Sequence, residues 1–98
     1  MSDRIVLSAE AIEGMASTVS YIAERNPAAA ERVRLAILAT LEMLACTDPR
    51  VEGRAVELAP GVTCRRHYVH PVLILYQRSP GVLEVLSVRH HAREPIAR

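Results

Sequence analysis

Residues 72–93 read Val72-Leu73-Ile74-Leu75-Tyr76-Gln77-Arg78-Ser79-Pro80-Gly81-Val82-Leu83-Glu84-Val85-Leu86-Ser87-Val88-Arg89-His90-His91-Ala92-Arg93. Two runs of β-branched and aliphatic residues flank Ser79-Pro80-Gly81, the pattern of an antiparallel hairpin. Pro80 pre-sets the backbone of the second turn position, and Gly81 supplies positive φ at the third. Few polar residues interrupt either run, so both strands belong in the middle of a sheet, covered on at least one face. The second strand carries Arg89, His90, His91 and Arg93 to its own end. That end is the first place to look for chemistry or for a charged partner.

Working outward, Val62 to Val69 (VTCRRHYV) reads as the preceding strand, with Arg65 and Arg66 on opposite faces and His70-Pro71 turning into the hairpin. Cys46 to Gly61 holds Pro49, Gly53, Pro60 and Gly61 and reads as a loop with a short extended piece at Ala55 to Leu58. At the other end, Arg4 to Leu7 is a short strand. Ser8 caps a helix from Ala9 to Arg25, with Glu10 in its first turn. Ile12, Met15, Val19 and Ile22 recur at helical spacing and mark the face expected to be buried. Asn26 caps a second helix that opens at Pro27 and runs to Ala45. Ala30, Val33, Ile37, Leu41 and Leu44 fall within an arc of about 80° on it, a stripe for the first helix or the sheet. The order is therefore β-α-α-β-β-β: an α+β domain in which a small antiparallel sheet packs against an N-terminal helical hairpin.

Ninety-eight residues make a single domain over residues 1–98, and half of them are hydrophobic. Phe and Trp are missing and Tyr occurs three times, so the core is aliphatic. Net charge is only +1, but it is unevenly placed. Residues 1–60 set six arginines against nine acids, net −3; residues 61–98 set six arginines against two acids, net +4, and hold all four histidines. A basic strand half fits a nucleic-acid or acidic-protein surface, or simply a solvated sheet edge. All basic residues are Arg; none is Lys. No apolar run reaches membrane-spanning length and no signal peptide is evident, so the chain reads as soluble and cytoplasmic. Cys46 and Cys64 are far apart, in no metal spacing, and read as two buried thiols. Adjacent His90 and His91 would point to opposite strand faces, so neither a metal nor any other cofactor is expected. Leu35 and Met43 project away from the stripe of the second helix. They are either scattered surface residues or a groove for a partner's amphipathic segment.

Three stretches resemble the ParE branch of the RelE/ParE superfamily of toxins from type II toxin–antitoxin systems. They are Tyr21-Ile22-Ala23-Glu24-Arg25-Asn26-Pro27-Ala28-Ala29-Ala30, Ile74-Leu75-Tyr76-Gln77-Arg78, and Val85 to Glu94. Order and spacing agree from about Ile5 to Glu94; Ser87 stands where the family often has arginine, and His91 where glycine is common. The resemblance implies a partner, a ParD-like ribbon-helix-helix antitoxin. Its C-terminal segment would wrap the toxin in a heterotetramer, covering Leu35, Leu38 and Met43 and pairing with Arg65 and Arg66. DNA would be touched only through the antitoxin. It further implies one of two activities. A ParE-like toxin would bind DNA gyrase and block replication without catalysis, and Arg89, His90 and Arg93 would contact the target. A RelE-like toxin would cut mRNA on the ribosome. For that, His90 or His91 would serve as general acid or base and Arg65, Arg66 and Arg89 would grip phosphate. No Tyr follows Tyr76 and no Lys is present, which counts against the usual RelE chemistry. The gyrase reading is therefore preferred, with a non-toxic antitoxin-binding module as a third possibility.

Overall fold

A computed structural model describes residues 3–46, 56–60 and 62–90. In chain order its elements are β1 (Arg4–Leu7), α1 (Ala9–Ala23), α2 (Pro27–Cys46), β2 (Val56–Ala59), β3 (Val62–Val69), β4 (Val72–Ser79) and β5 (Val82–His90). Among the described residues five strands form one sheet in the order β1-β5-β4-β3-β2, with both helices packed on it. The expected α+β fold is present, with two additions. Strand β2 pairs antiparallel with β3, and β1 pairs parallel with β5, so the sheet is mixed at that edge. The hairpin turn is as expected, with Gly81 at φ 75°. The His70–Pro71 bond between β3 and β4 is cis. No described helix is long and apolar enough to cross a membrane.

The start of α1 is tied to β5 through one residue. The Ser8 N–H donates to the Val85 carbonyl (3.0 Å). Its hydroxyl accepts from the Ala11 N–H (3.0 Å) as an N-cap and donates to the Leu86 carbonyl (2.7 Å). Leu86 lies where the β4–β5 register shifts, between the pairs Leu75↔Ser87 and Tyr76↔Val85. A bulged residue leaves its ladder incomplete, and Ser8 takes up the carbonyl. At the helix junction, Asn26 Oδ1 accepts from the Ala29 N–H (3.0 Å), the expected cap of α2. Helix α1 ends at Ala23, two residues short of the expected Arg25, and α2 runs one residue past Ala45.

The buried face of α1 differs from the face its large apolar residues suggest. Ile12 is 54 % exposed, while Ala11 and Thr18 are buried. Gly14 explains why. A Cβ on Gly14 would stand 1.9 Å from the Val88 carbonyl oxygen of β5. Ala11, Gly14 and Thr18 form a small-residue face that lets the helix lie directly on the strand. This rotates the expected face roughly 90° toward solvent on the Ile12/Val19 side, at about 100° per residue. The α2 stripe is buried as expected at Ala30, Ile37, Leu41 and Leu44, with Val33 half-buried. Ile37, Leu41 and Leu44 meet Val72, Ile74, Tyr76, Leu83, Val85 and Val88 in one core, with Val33 packed against it. Cys64 is buried and Cys46 is exposed, both as free thiols; Cys46 was expected inside but lies half a turn round α2 from the stripe.

Arg78 closes the far end of this core. Its guanidinium donates to Asp3 Oδ2 (3.0 Å) and to the Leu44 carbonyl in the last turn of α2 (2.5 Å), and its side chain is 10 % exposed. Cationic charge at a helix C-terminus is favourable, and here one side chain joins β4, α2 and the segment before β1.

Two stability outcomes follow. Gly14→Ala should destabilise the fold by about 1–3 kcal/mol, although alanine alone favours a helix by ~1 kcal/mol; a raised melting temperature would refute the close approach. Arg78→Ala should cost about 2–3 kcal/mol, discounted from a fully buried pair because Asp3 is partly exposed. Arg78→Lys, lacking the planar fork, should recover only part of it in the same denaturant titration.

Candidate functional site

Strand alternation decides where the basic residues go, because directly paired residues share a face. Val72, Ile74 and Tyr76 point into the core under the helices. Their partners Val69, His67 and Arg65 on β3, and His90 on β5, therefore lie on the helix side. Leu73 and Leu75 point the other way, with Tyr68, Arg66, Ser87 and Arg89 beside them. Arg66 is exposed and Tyr68 is 51 % exposed; Arg89 is half-buried, its Nε donating to Ser87 Oγ (3.2 Å).

The candidate residues are thus not one cluster. Arg66 and Arg89 share the helix-free face, one strand apart across β4. Arg65 is on the helix side, and its β4 partner Tyr76 lies four residues from Val72, the partner of His90, roughly 13 Å along the sheet. Arg89 and His90, expected to form one contact surface, point to opposite faces of β5 and come together only in a cleft at its edge. His91 and Arg93 lie outside the described residues.

His90 packs against α1. Its ring meets Tyr21 edge-on at 5.3 Å between centroids, and its Nδ1 is buried. Arg25 lies over the other end of this group, 4.3 Å above the Tyr21 ring, and donates to the Tyr21 carbonyl (3.4 Å). Beyond Gly14 the edge of β5 that β1 does not reach forms a cleft of about 430 Å³. Glu10, Glu13 and Ser17 line it opposite Arg89 and His90. Two exposed carboxylates facing these residues make the cleft mixed in sign. It is no concentrated phosphate-binding site. Among the described residues no group of three His, Cys, Asp or Glu side chains is arranged to hold a metal ion.

On α2, Leu35 (52 %) and Met43 (46 %) are exposed as expected, whereas Leu38 is half-buried. Leu35 and Met43 point about 80° apart round the helix, so they bound two flanks rather than one patch. Toward α1, Ile12, Met15, Ala16 and Val19 line an apolar depression of about 450 Å³ closed by Arg34. Arg34 is held there by Glu31 at 2.5 and 3.1 Å. That hydrogen bond, with the charge of Arg34, holds the exposed Glu31 carboxyl below the ordinary carboxylate range. Toward β3, a second depression runs from the helix junction to His70 and Pro71. The sequence reading missed both: Ile12 was placed in the core, and Tyr21, Arg25, Arg32 and His70 carry no spacing that joins them.

A sequence search of curated proteins finds no match. Among solved structures, the fold is similar to a chain of the chromosomal ParDE TA system from P. aeruginosa, with a TM-score of 0.74 at 13 % identity. The match covers 91 % of this chain and 96 % of that one. The family model described as ParE toxin of type II toxin-antitoxin system, parDE, matches residues 5–95. Spanning both helices and all but the first residue of the five described strands, that match shows that this chain belongs to the ParE toxin family.

Proposed function

We propose that a ParD-like antitoxin neutralises this toxin, and that the free chain binds DNA gyrase in the cytoplasm and stops replication. The observation that carries the reading is the family match over residues 5–95. The similarly folded chain belongs to a ParDE system, which supports an antitoxin partner here. A ribbon-helix-helix antitoxin dimer holding two toxins would give a heterotetramer.

Binding rather than catalysis is favoured by the placement of the basic residues. RNA cleavage needs a proton-transfer group and phosphate-gripping charges converging on one atom. Here Arg66 and Arg89 are on one face of the sheet and Arg65 and His90 on the other. The cleft that does hold Arg89 with His90 also holds Glu10 and Glu13, which would repel a phosphate. The helix-free face is the better target surface. Arg66, Arg89 and Tyr68 stand close together on it, and arginine with tyrosine is the composition of interface anchors. For the antitoxin, exposed Leu35 and Met43 offer apolar anchors on α2.

In cells expressing the chain under tight control, labelled thymidine incorporation should fall before labelled methionine incorporation. Translation stopping first would instead mark a ribosome-dependent nuclease; unimpaired growth would mark a non-toxic binding module. Arg66→Ala combined with Arg89→Ala should reduce toxicity with the melting temperature preserved, and full toxicity would move the target site elsewhere. Leu35→Arg and Met43→Arg should each weaken binding of the antitoxin encoded beside this chain by roughly ten- to a hundredfold, since an unpaired charge would be buried. Unchanged affinity for both would remove α2 from the interface.

A further inference from the structure

A groove of about 560 Å³ runs between the α1–α2 junction and the His70–Pro71 turn. Its floor is apolar, built from Ile22, Val33, Ala36 and the buried Pro71. Its rim carries two guanidinium groups, Arg25 and Arg32, and two imidazoles, His70 and His90. Among the described residues no carboxylate lines it.

The walls are held in place before anything binds. Arg25 is fixed over the Tyr21 ring, and Tyr21 abuts His90. His70 Nδ1 is hydrogen-bonded to Tyr68 Oη at 3.0 Å. Side chains already ordered lose less entropy when a ligand arrives. The depression on the other flank of α2 is the useful contrast. It is also apolar, but its single arginine, Arg34, is already bonded to Glu31. In the groove beside Pro71, Arg25 and Arg32 make no ion pair with a carboxylate among the described residues.

An apolar floor under two cationic rim groups selects its occupant by charge and shape together. A small inorganic anion would leave the floor in water. A nucleic-acid backbone would place phosphate near the rim but nothing apolar beneath it. An amphipathic peptide satisfies both, with an aliphatic side chain on Val33 and Ala36 and carboxylates reaching Arg25 and Arg32. We infer that this groove is the docking site for an acidic amphipathic segment of the antitoxin. The inference rests on the toxin–antitoxin reading for the source of that segment, while the groove's chemistry can be tested separately.

The test titrates the isotope-labelled chain with two synthetic sixteen-residue helical peptides, followed by amide NMR. One carries Leu on one face and Glu on the other; its counterpart replaces every Glu by Gln. The Leu/Glu peptide should bind roughly tenfold tighter, the sum of two partly exposed ion pairs. The shifts should centre on Ala29, Arg32, Ala36 and His70. Arg25→Ala with Arg32→Ala should abolish the difference between the peptides, and Ala36→Trp, which fills the floor, should weaken both. Equal affinities, shifts centred on Ile12 to Val19, no binding, or tighter binding of a thymidine oligonucleotide would each overturn the inference. In the intact complex, the Arg25→Ala/Arg32→Ala chain should bind the antitoxin encoded beside it roughly tenfold more weakly. Undiminished affinity would overturn the groove and leave the toxin–antitoxin reading standing. Failure of the wild-type chain to bind that antitoxin would sink the reading, and the peptide titration would still decide the groove's own preference.

Discussion

Where a helix lies on a strand, the residue at the contact sets the distance between backbones, and at Gly14 that residue contributes only hydrogen. The Val88 carbonyl occupies the space a Cβ would need. This approach fixes the height and rotation of α1, and much else follows. The helix covers the part of β5 that β1, ending at Leu7, does not reach. Its small-residue face at Ala11, Gly14 and Thr18 is used up on the sheet. Ile12 and Val19 are left to line a surface depression, and Met15 lies between that depression and the core. Because α2 follows after a short junction, its position is set as well, and the grooves on its two flanks are by-products of the same contact.

The second organising fact is the alternation of side chains along β5. One strand carries core residues, a helix-packed histidine and an arginine on the opposite surface within six positions, Val85 to His90. A sheet with both helices on one side gives each face its own chemistry. One face holds apolar grooves framed by arginine and imidazole. The other exposes Arg66 and Tyr68 with Arg89 beside them.

Much of this could be read from residues alone. Ser8, Asn26, Pro27 and the Pro80-Gly81 turn mark element boundaries through local backbone chemistry, and they lie where that chemistry requires. The α2 stripe and the opposite facing of Arg65 and Arg66 follow from helical and strand periods. The α1 face did not follow, because hydrophobic periodicity weighs side-chain size, and close helix–strand packing selects for its absence. The bulge at Leu86 has no local signature; it shows only in how β5 meets both Ser8 and β4. The long-range partners of Arg78 were invisible for a similar reason. Asp3 and Leu44 are 75 and 34 residues away in sequence. The groove beside Pro71 gathers residues from α1, α2, β5 and a turn, and no linear pattern announces such a meeting.

The parallel pairing of β1 with β5 also bears on when the toxin comes into being. Arg4 finds Val82, and the Ser8 hydroxyl finds a carbonyl 78 residues downstream. Closing so long a loop is entropically costly, and non-local pairing of this kind is slow. A ribosome delivers β1 and α1 well before their common partner. Until residues 82–90 have been made, the small-residue face of α1 has no strand to lie on and neither surface of the sheet is complete. Before that point the nascent chain is an unfinished toxin, with β1 and the small-residue face of α1 still lacking their strand.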